Sequence, residues 1–298
     1  MYIIYNNNMR KLIVNKKYDK KKLSNFILDS FPNLNKNTLF KAFRKKDIKI
    51  NNKRISSDTN IYEGDEILVY ITDNFLFDEL NYKIDIIYED DNIMIVNKPE
   101  NLSVTEDSIS NINLTSILNK NYVNHLQPCH RIDRNTKGLV LFAKNEKSLN
   151  ILLDKFKNKE IEKHYLAKVY GIPKKEHCIL EAYLFKDSKK SLVYISDFPK
   201  KDYSKILTEY TIIKKDIKNN TCILDINLHT GKTHQIRAHL SHFGFPIIGD
   251  GKYGINNINK KFGLKTQYLY SYLLKFNFTT DSSILNYLNK KTITLDKF

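Results

Sequence analysis

In the stretch HRIDRNTKGLVLFAKN, His130 to Asn145, Asp133 stands between Arg131 and Arg134, and an apolar run from Gly138 to Ala143 follows at once. A guanidinium beside a carboxylate favours its ionised form. That suits a nucleophile and does not suit a general acid, which needs a raised pKa. If the stretch is extended, Arg131 and Asp133 point one way and Arg134 the other. The plainer alternative is a salt bridge that closes a turn, and spacing alone does not choose between the two. Tyr165 lies in KHYLAKVYG. A tyrosine in an alternating strand is ordinarily core, and it matters chemically only if the fold brings it near Asp133. In GKTHQIRAHLSHFG, Ile236, Leu240 and Phe243 share a helical stripe, with His234, Arg237 and Ser241 roughly opposite. Burying that stripe turns Arg237 toward solvent or a cleft. His234, His239 and His242 lie on different parts of the wheel, and no HExxH or Cys/His set accompanies them, so no metal site is expected.

Strands and helices must position these groups. IDIIYEDDNIMIVNKP reads as a strand, an acidic turn and a strand that Pro99 stops. GLVLFAK reads as a continuous apolar strand. NEKSLNILLDKFKNKEI follows as an amphipathic helix capped by Asn145, with Leu149, Leu152, Leu153 and Phe156 at i, i+3, i+4 and i+7. In KHYLAKVYG, Tyr165, Ala167 and Val169 face one way and His164, Leu166 and Lys168 the other. A crossover helix can return the second strand beside the first, which would set Tyr165 near Asp133. KILTEYTII and NTCILDINLHT read as two further strands, and Gly244 closes the helix that carries Arg237.

The N-terminal region differs in composition. The chain has 298 residues and a net charge of +16. Between Arg10 and Arg54, fifteen Lys/Arg face three Asp/Glu, so twelve net positive charges fall in 45 residues and only four in the other 253. A localised basic module implies a polyanionic partner. KKLSNFILDSF places Leu23, Phe26, Ile27 and Ser30 on one stripe of a helix ended by Pro32. NKNTLFKAFRKK gives a second helix, with Leu39, Ala42 and Phe43 inward and Lys36, Lys41, Arg44 and Lys45 outward. IKINNKRI reads as a hairpin on Asn-Asn, and IYEGDEILVYI as a turn and a strand. The start, MYIIYNNNMRKLIVNKK, lacks a sustained apolar core and a small-residue cleavage site, so no signal peptide is expected. No run approaches a bilayer span. Three scattered cysteines, Cys129, Cys178 and Cys222, make no disulfide framework, and a cytoplasmic location is the expectation.

HRIDRNTKGLVLFAKN resembles the HRLDxxTSGLLLxAK motif of RluA-type pseudouridine synthases. YEDDNIMIVNKP, KHYLAKVYG, LHTGKTHQIRAHLSHFGFPIIGD and GKYG look like that family's other blocks, in its order, over about Ile84 to Phe278. The basic N-terminal unit is similar to the S-four-type RNA-binding domain. The resemblance implies an isomerase that detaches uracil from its ribose, rotates it and rejoins it through carbon five, with no cofactor. Asp133 matches the essential aspartate, Tyr165 the active-site tyrosine that stacks on the base, and Arg237 the arginine that pairs with the aspartate. Arg131 matches the arginine that helps displace the target base. His130, Arg134, Lys232 and His234 are the further RNA-contact candidates in this region, and Lys36, Lys41, Arg44 and Lys45 those of the basic module. Lys137 replaces the usual Ser, Ile132 the usual Leu, Lys232 the common Arg, and Asn101 the Gly that normally follows Lys-Pro. QYLYSYLLKF lacks the usual Leu-His-Ala.

The expected architecture is thus α+β, a mixed and mainly antiparallel sheet with helices on its faces over 83–298. A small α/β basic domain at 10–72 precedes it, joined by a linker at 73–82. The expected partner is RNA, large-subunit ribosomal RNA before transfer RNA, met by a monomer with no membrane association. A non-catalytic RNA-binding or ribosome-assembly factor and a metal-dependent nuclease are the rival readings. Intact Asp133, Tyr165 and Arg237 argue against the first, and the lack of clustered carboxylates around Asp133 against the second.

Overall fold

The computed structural model describes residues 4–6, 9–71, 83–107, 112–120, 122 and 125–295. The expected linker at 73–82 lies outside the described residues. The chain divides into two compact units, Met1–Lys83 with Glu106–Asn113, and Ile84–Thr105 with Leu114–Phe298.

The first unit has strands β1 (Ile4–Asn6) and β2 (Met9–Ile13), helices α1 (Leu23–Ser30) and α2 (Lys36–Lys45), and strands β3 (Ile48–Ile50), β4 (Lys53–Ile55) and β5 (Glu66–Val69). The strands form one antiparallel sheet in the order β1-β2-β5-β3-β4. Asn35 caps α2 by accepting the Thr38 amide at 2.8 Å. Asn51 and Asn52 both take positive φ, 46° and 65°, as a two-residue hairpin with the right twist requires. Leu23, Phe26 and Ile27 of α1 and Leu39, Ala42 and Phe43 of α2 join the buried core as expected. Strands β1 and β2 escaped the sequence reading, because a short run of mixed Asn, Lys and aliphatic residues has no clear period.

The second unit is built on an eleven-stranded sheet. Its strands are β6 (Asp85–Glu89), β7 (Ile93–Lys98), β8 (Gln127–Pro128), β9 (Lys137–Ala143), β10 (Ile161–Tyr170), β11 (His177–Asp187), β12 (Leu192–Ser196), β13 (Ser204–Asp216), β14 (Thr221–Leu228), β15 (Leu269–Phe276) and β16 (Thr292–Thr294). The main path runs β12-β11-β13-β14-β10-β15-β9-β7-β6, with β16 on β15 and β8 on β9. Among the described pairs β15–β9 is parallel and the rest are antiparallel. The helices are α3 (Leu114–Asn119), α4 (Glu146–Lys157), α5 (Gln235–His242) and α6 (Asn256–Lys261). This is the α+β class that the strand pattern implied.

Asn145 caps α4 as expected, accepting the Ser148 amide at 2.8 Å. Leu152 packs with Leu139, Leu141, Leu274 and Phe276 beneath it. Each such buried aliphatic side chain stabilises the fold by about 1.5–3 kcal/mol. Leu153, read as inward, is 44% exposed, because at 100° per residue it falls at the edge of the stripe. The crossover also differs from expectation. β10 does not return beside β9; β15 lies between them, parallel to β9 and antiparallel to β10. No spacing within residues 137–170 could report a strand that arrives a hundred residues later. Tyr165 and the start of β9 are nonetheless in one row: Tyr165 pairs with Ser271, and Ser271 with Gly138. Gly138 has φ +116°, and a Cβ there would stand 2.0 Å from the Ser271 carbonyl oxygen, so only glycine lets β15 approach. Among the described residues no helix is long and apolar enough to cross a membrane.

Candidate active site

Asp133 lies at the turn that feeds β9. Its backbone carbonyl accepts the Thr136 amide at 3.0 Å and closes the turn, while its side chain points elsewhere. Thr136 Oγ1 accepts from Gln267 Nε2 at 2.7 Å, which pins the turn to the approach of β15. Beneath it lies Lys98, fully buried at the end of β7. Its ammonium donates to the carbonyls of Pro99 and Leu102, each at 2.7 Å, and of Arg134 at 2.9 Å. Burial, then the Arg134 charge, pushes Lys98 down to about 7, although Asp133 and Glu100 act the other way. One side chain thus ties the Lys-Pro loop to the Asp133 loop.

Arg237 reaches Asp133 from α5. Nη1 donates to Asp133 Oδ2 at 2.9 Å. Nε and Nη2 grip Asp250 in a bidentate pair at 2.7 and 2.9 Å. Asp250 is itself buried, and its Oδ1 also accepts the amides of Lys252 at 2.8 Å and Tyr253 at 3.1 Å. Burial raises the Asp250 pKa, but the bonds from Arg237 and these amides outweigh it and hold the carboxyl below its usual range. Burial likewise opposes the Arg237 charge and is overcome by Asp250 and Asp133, so the guanidinium is raised. The Arg237 guanidinium also stacks 5.3 Å from the Tyr253 ring centroid. Tyr253 Oη accepts the Val193 amide and meets His234 Nδ1, both at 2.9 Å. Helix α5 is buried on most faces, from Gln235 to Leu240, whereas Phe243 is 37% exposed. The single apolar stripe read from the sequence was therefore too narrow, because polar side chains on the other faces pack inward through ion pairs and hydrogen bonds. His239 is one of them, its Nδ1 at 2.9 Å from Thr208 Oγ1.

Tyr165 is buried in the row that ends at Gly138. Burial, then the Asp133 charge, raises its phenol, with the Ser271 hydroxyl acting the other way. The phenol therefore stays protonated, an apolar ring with a polar tip that feels the Asp133 charge.

The other sequence candidates divide. Arg131 is exposed and has no hydrogen-bond or ion-pair partner among the described residues, so the partner of Asp133 is Arg237 and not the neighbouring Arg131. Arg134, an RNA-contact candidate, donates to the Asn101 carbonyl at 2.9 Å and to Ser103 Oγ at 3.4 Å. Asn101 sits at φ +61°, supplying with an asparagine the left-handed turn that the usual glycine would provide. His130 is a correction as an RNA contact: its Nε2 accepts the Leu141 amide at 3.1 Å, its Nδ1 is buried, and its ring packs 5.2 Å from Phe156. Burial, then the Lys163 charge, pushes it down to about 3. His234 has φ +52° and its backbone precedes α5; burial takes it down to about 4. Lys232 is exposed, as are Lys36, Lys41, Arg44 and Lys45 on α2. Among the described residues no group of three His, Cys, Asp or Glu is arranged for a metal ion. Lys98, Asp250 and Tyr253 were missed. A lysine ending an otherwise apolar strand was the signal for the first; nothing in GDGKYG marks the other two without the fold.

The fold that carries this arginine and its two carboxylates has counterparts among solved structures. The fold matches human RNA Pseudouridylate Synthase Domain Containing 1, with a TM-score of 0.57 at 20% identity, over 67% of this chain and 80% of that one. It also matches human RNA Pseudouridylate Synthase Domain Containing 4, at 0.56 and 19%, over 71% and 88%. Residues 92–242 match the RNA pseudouridylate synthase family. The ribosomal large subunit pseudouridine synthase C of Rickettsia bellii is 34% identical over 252 residues, 78% of this chain and 82% of the relative. An uncharacterized RNA pseudouridine synthase of Mycoplasma capricolum is 32% identical over 305 residues, 96% and 97%. The chain belongs to the RNA pseudouridylate synthase family, in its RluA-type branch, and is an RNA pseudouridine synthase, an isomerase.

Proposed function

We propose that Asp133 is the nucleophile of this isomerase, that Tyr165 stacks on the uracil, and that Arg237 orients Asp133. The observation that carries this reading is the contact between Arg237 Nη1 and Asp133 Oδ2, made by an arginine already fixed on a second carboxylate. A side chain so held costs little reorganisation when the nucleotide arrives. In the net reaction the bond from N1 to the ribose breaks, the bond from carbon five to the ribose forms, carbon five loses a proton and N1 gains one. Nothing is oxidised and no group leaves, so the chemistry calls for no cofactor. The uridine must be everted, at a cost of a few kcal/mol that is smallest where it is already unpaired.

The substrate proposed is large-subunit ribosomal RNA, the target in the names of several relatives, here supported by the basic helix α2. Its unit is read as an S-four-type RNA-binding domain, spanning 10–72, which holds RNA through phosphates and shape. Asp133→Asn tests the site: conversion of uridine is abolished while RNA affinity stays within roughly tenfold, about 1.4 kcal/mol. Preserved turnover would remove the nucleophile. Pseudouridine mapping in cells lacking the protein tests the target, and sites lost from transfer RNA alone would replace the ribosomal reading.

A further inference from the structure

Lys163 is a half-buried cation with no anion to meet it. Among the described residues its ammonium makes no ion pair and no hydrogen bond, and it lies 5.1 Å over the Phe156 ring. It stands on β10 two residues before Tyr165, so both side chains leave the same face of the strand, one pleat apart. A Cβ at Gly231 would stand 3.6 Å from its Nζ and meet nothing else within 4 Å, so the loop before α5 passes this ammonium with bare backbone and leaves room there. Its charge acts on His130, three residues before Asp133. Lys163 therefore lies between the segment that carries Asp133 and the segment that leads to Arg237.

Burial is the one influence on its charge, with no carboxylate opposing it. Asp133 and Asp250 are both engaged by Arg237. Desolvating an ammonium without a partner is unfavourable, and burial lowers its pKa. A methionine would fill the same space at no such cost. On the two flanking segments, Arg131 and Lys232 are exposed cations whose side chains also lack an acidic partner among the described residues. The anion that RNA brings to such a place is its own backbone. We infer that Lys163, with Arg131 and Lys232 beside it, forms a site for a backbone phosphate adjacent to the converted uridine. The inference rests on the Asp133-centred reading. An everted nucleotide whose ring lies against Tyr165 carries its phosphates within reach of the next side chain on that face of β10, where a compact point charge can hold one without dictating sequence.

The test uses the full-length enzyme and an RNA containing the uridine it converts, unmodified or with an uncharged methylphosphonate at the phosphate on either side. For the wild-type enzyme, one of the two replacements raises KM about tenfold and leaves kcat within about threefold. Lys163→Met and Lys163→Gln raise KM on unmodified RNA by a similar factor and flatten the salt dependence of binding by about 0.7, the value for one phosphate of a single strand. The methylphosphonate then causes no further loss in either variant. Equal losses in wild type and variants, or no loss in wild type at either position, would overturn the phosphate site. So would a fall in kcat at unchanged KM in the variants. None of these results bears on Asp133, whose own reading fails only if Asp133→Asn still converts uridine.

Discussion

Arg237 holds Asp133 with one nitrogen and Asp250 with the other two, so a carboxylate thirteen residues after the arginine fixes the geometry of another 104 residues before it. The two contacts differ in character. Asp250 is enclosed and satisfied by two amides as well as the guanidinium, whereas Asp133 keeps about a quarter of its side-chain surface exposed, at 24%. The enclosed member anchors the guanidinium, and the other keeps a side-chain surface that solvent can reach.

Asp250→Ala is accordingly expected to harm both fold and chemistry. Breaking a buried pair by removing one partner costs about 3–5 kcal/mol. The freed guanidinium can shift by an ångström, which is enough to lower the rate roughly a hundredfold. Asp250→Asn keeps an acceptor and is expected to recover most of the stability and only part of the rate. Thermal unfolding and single-turnover conversion measured on both variants check this. Full activity in the alanine variant would show that Arg237 needs no anchor.

Residue type and spacing left Asp133, Tyr165 and Arg237 each with a plainer reading, and only the family resemblance singled the three out; α2, α4 and the Asn51-Asn52 hairpin follow from periodicity, caps and turn chemistry. What could not be read depends on contacts distant along the chain. The insertion of β15 between β9 and β10 is set by Gly138 meeting Ser271, a pair 133 residues apart. Asp250 looks like any loop aspartate until Arg237 is beside it. The internal roles of His130 and Arg134 were equally hidden, each completing a hydrogen bond that a buried or turning backbone group requires.

Gly138→Ala tests the strand insertion. The new methyl would overlap the Ser271 carbonyl and force a positive φ on an L-residue. The substitution is expected to abolish soluble folded protein or lower its melting temperature far more than Gly64→Ala. Gly64, at φ +90°, has nothing within 4 Å of its hypothetical Cβ, so only the backbone strain of about 1–2 kcal/mol applies there. Comparable melting temperatures for the two variants would mean that β15 does not need that approach.

Acid stability follows from three enclosed histidines. His130 is lowered from 6.5 to about 3, and His234 and His239 to about 4, in each case chiefly by burial. Between those values and 6.5 the unfolded chain binds protons that the folded chain does not. Stability is therefore full above pH 6.5 and falls as the pH drops toward 4. Urea unfolding between pH 7.5 and 5 is expected to show that decline. His130→Gln, whose amide oxygen can still accept from Leu141, is expected to flatten it. An unchanged slope would place the loss in other groups.

The basic helix makes the last prediction. Lys36, Lys41, Arg44 and Lys45 are all exposed on α2, while Leu39, Ala42 and Phe43 are buried, so replacing the four cations by glutamine leaves the core untouched. If the cations bind phosphates, each phosphate no longer neutralised removes roughly 0.7–0.9 from the slope of log affinity against log salt. The quadruple variant is then expected to lose as much as about 3 from that slope and to bind RNA weakly at physiological salt, with its melting temperature unchanged. At saturating RNA its kcat stays near that of the wild type, since none of the four belongs to the unit that carries Asp133, Tyr165 and Arg237. Filter binding over a range of salt, with turnover measured on the same preparation, separates the two effects. A slope equal to the wild-type value would show that α2 is a solvated face and that the charge of the first unit serves something other than RNA.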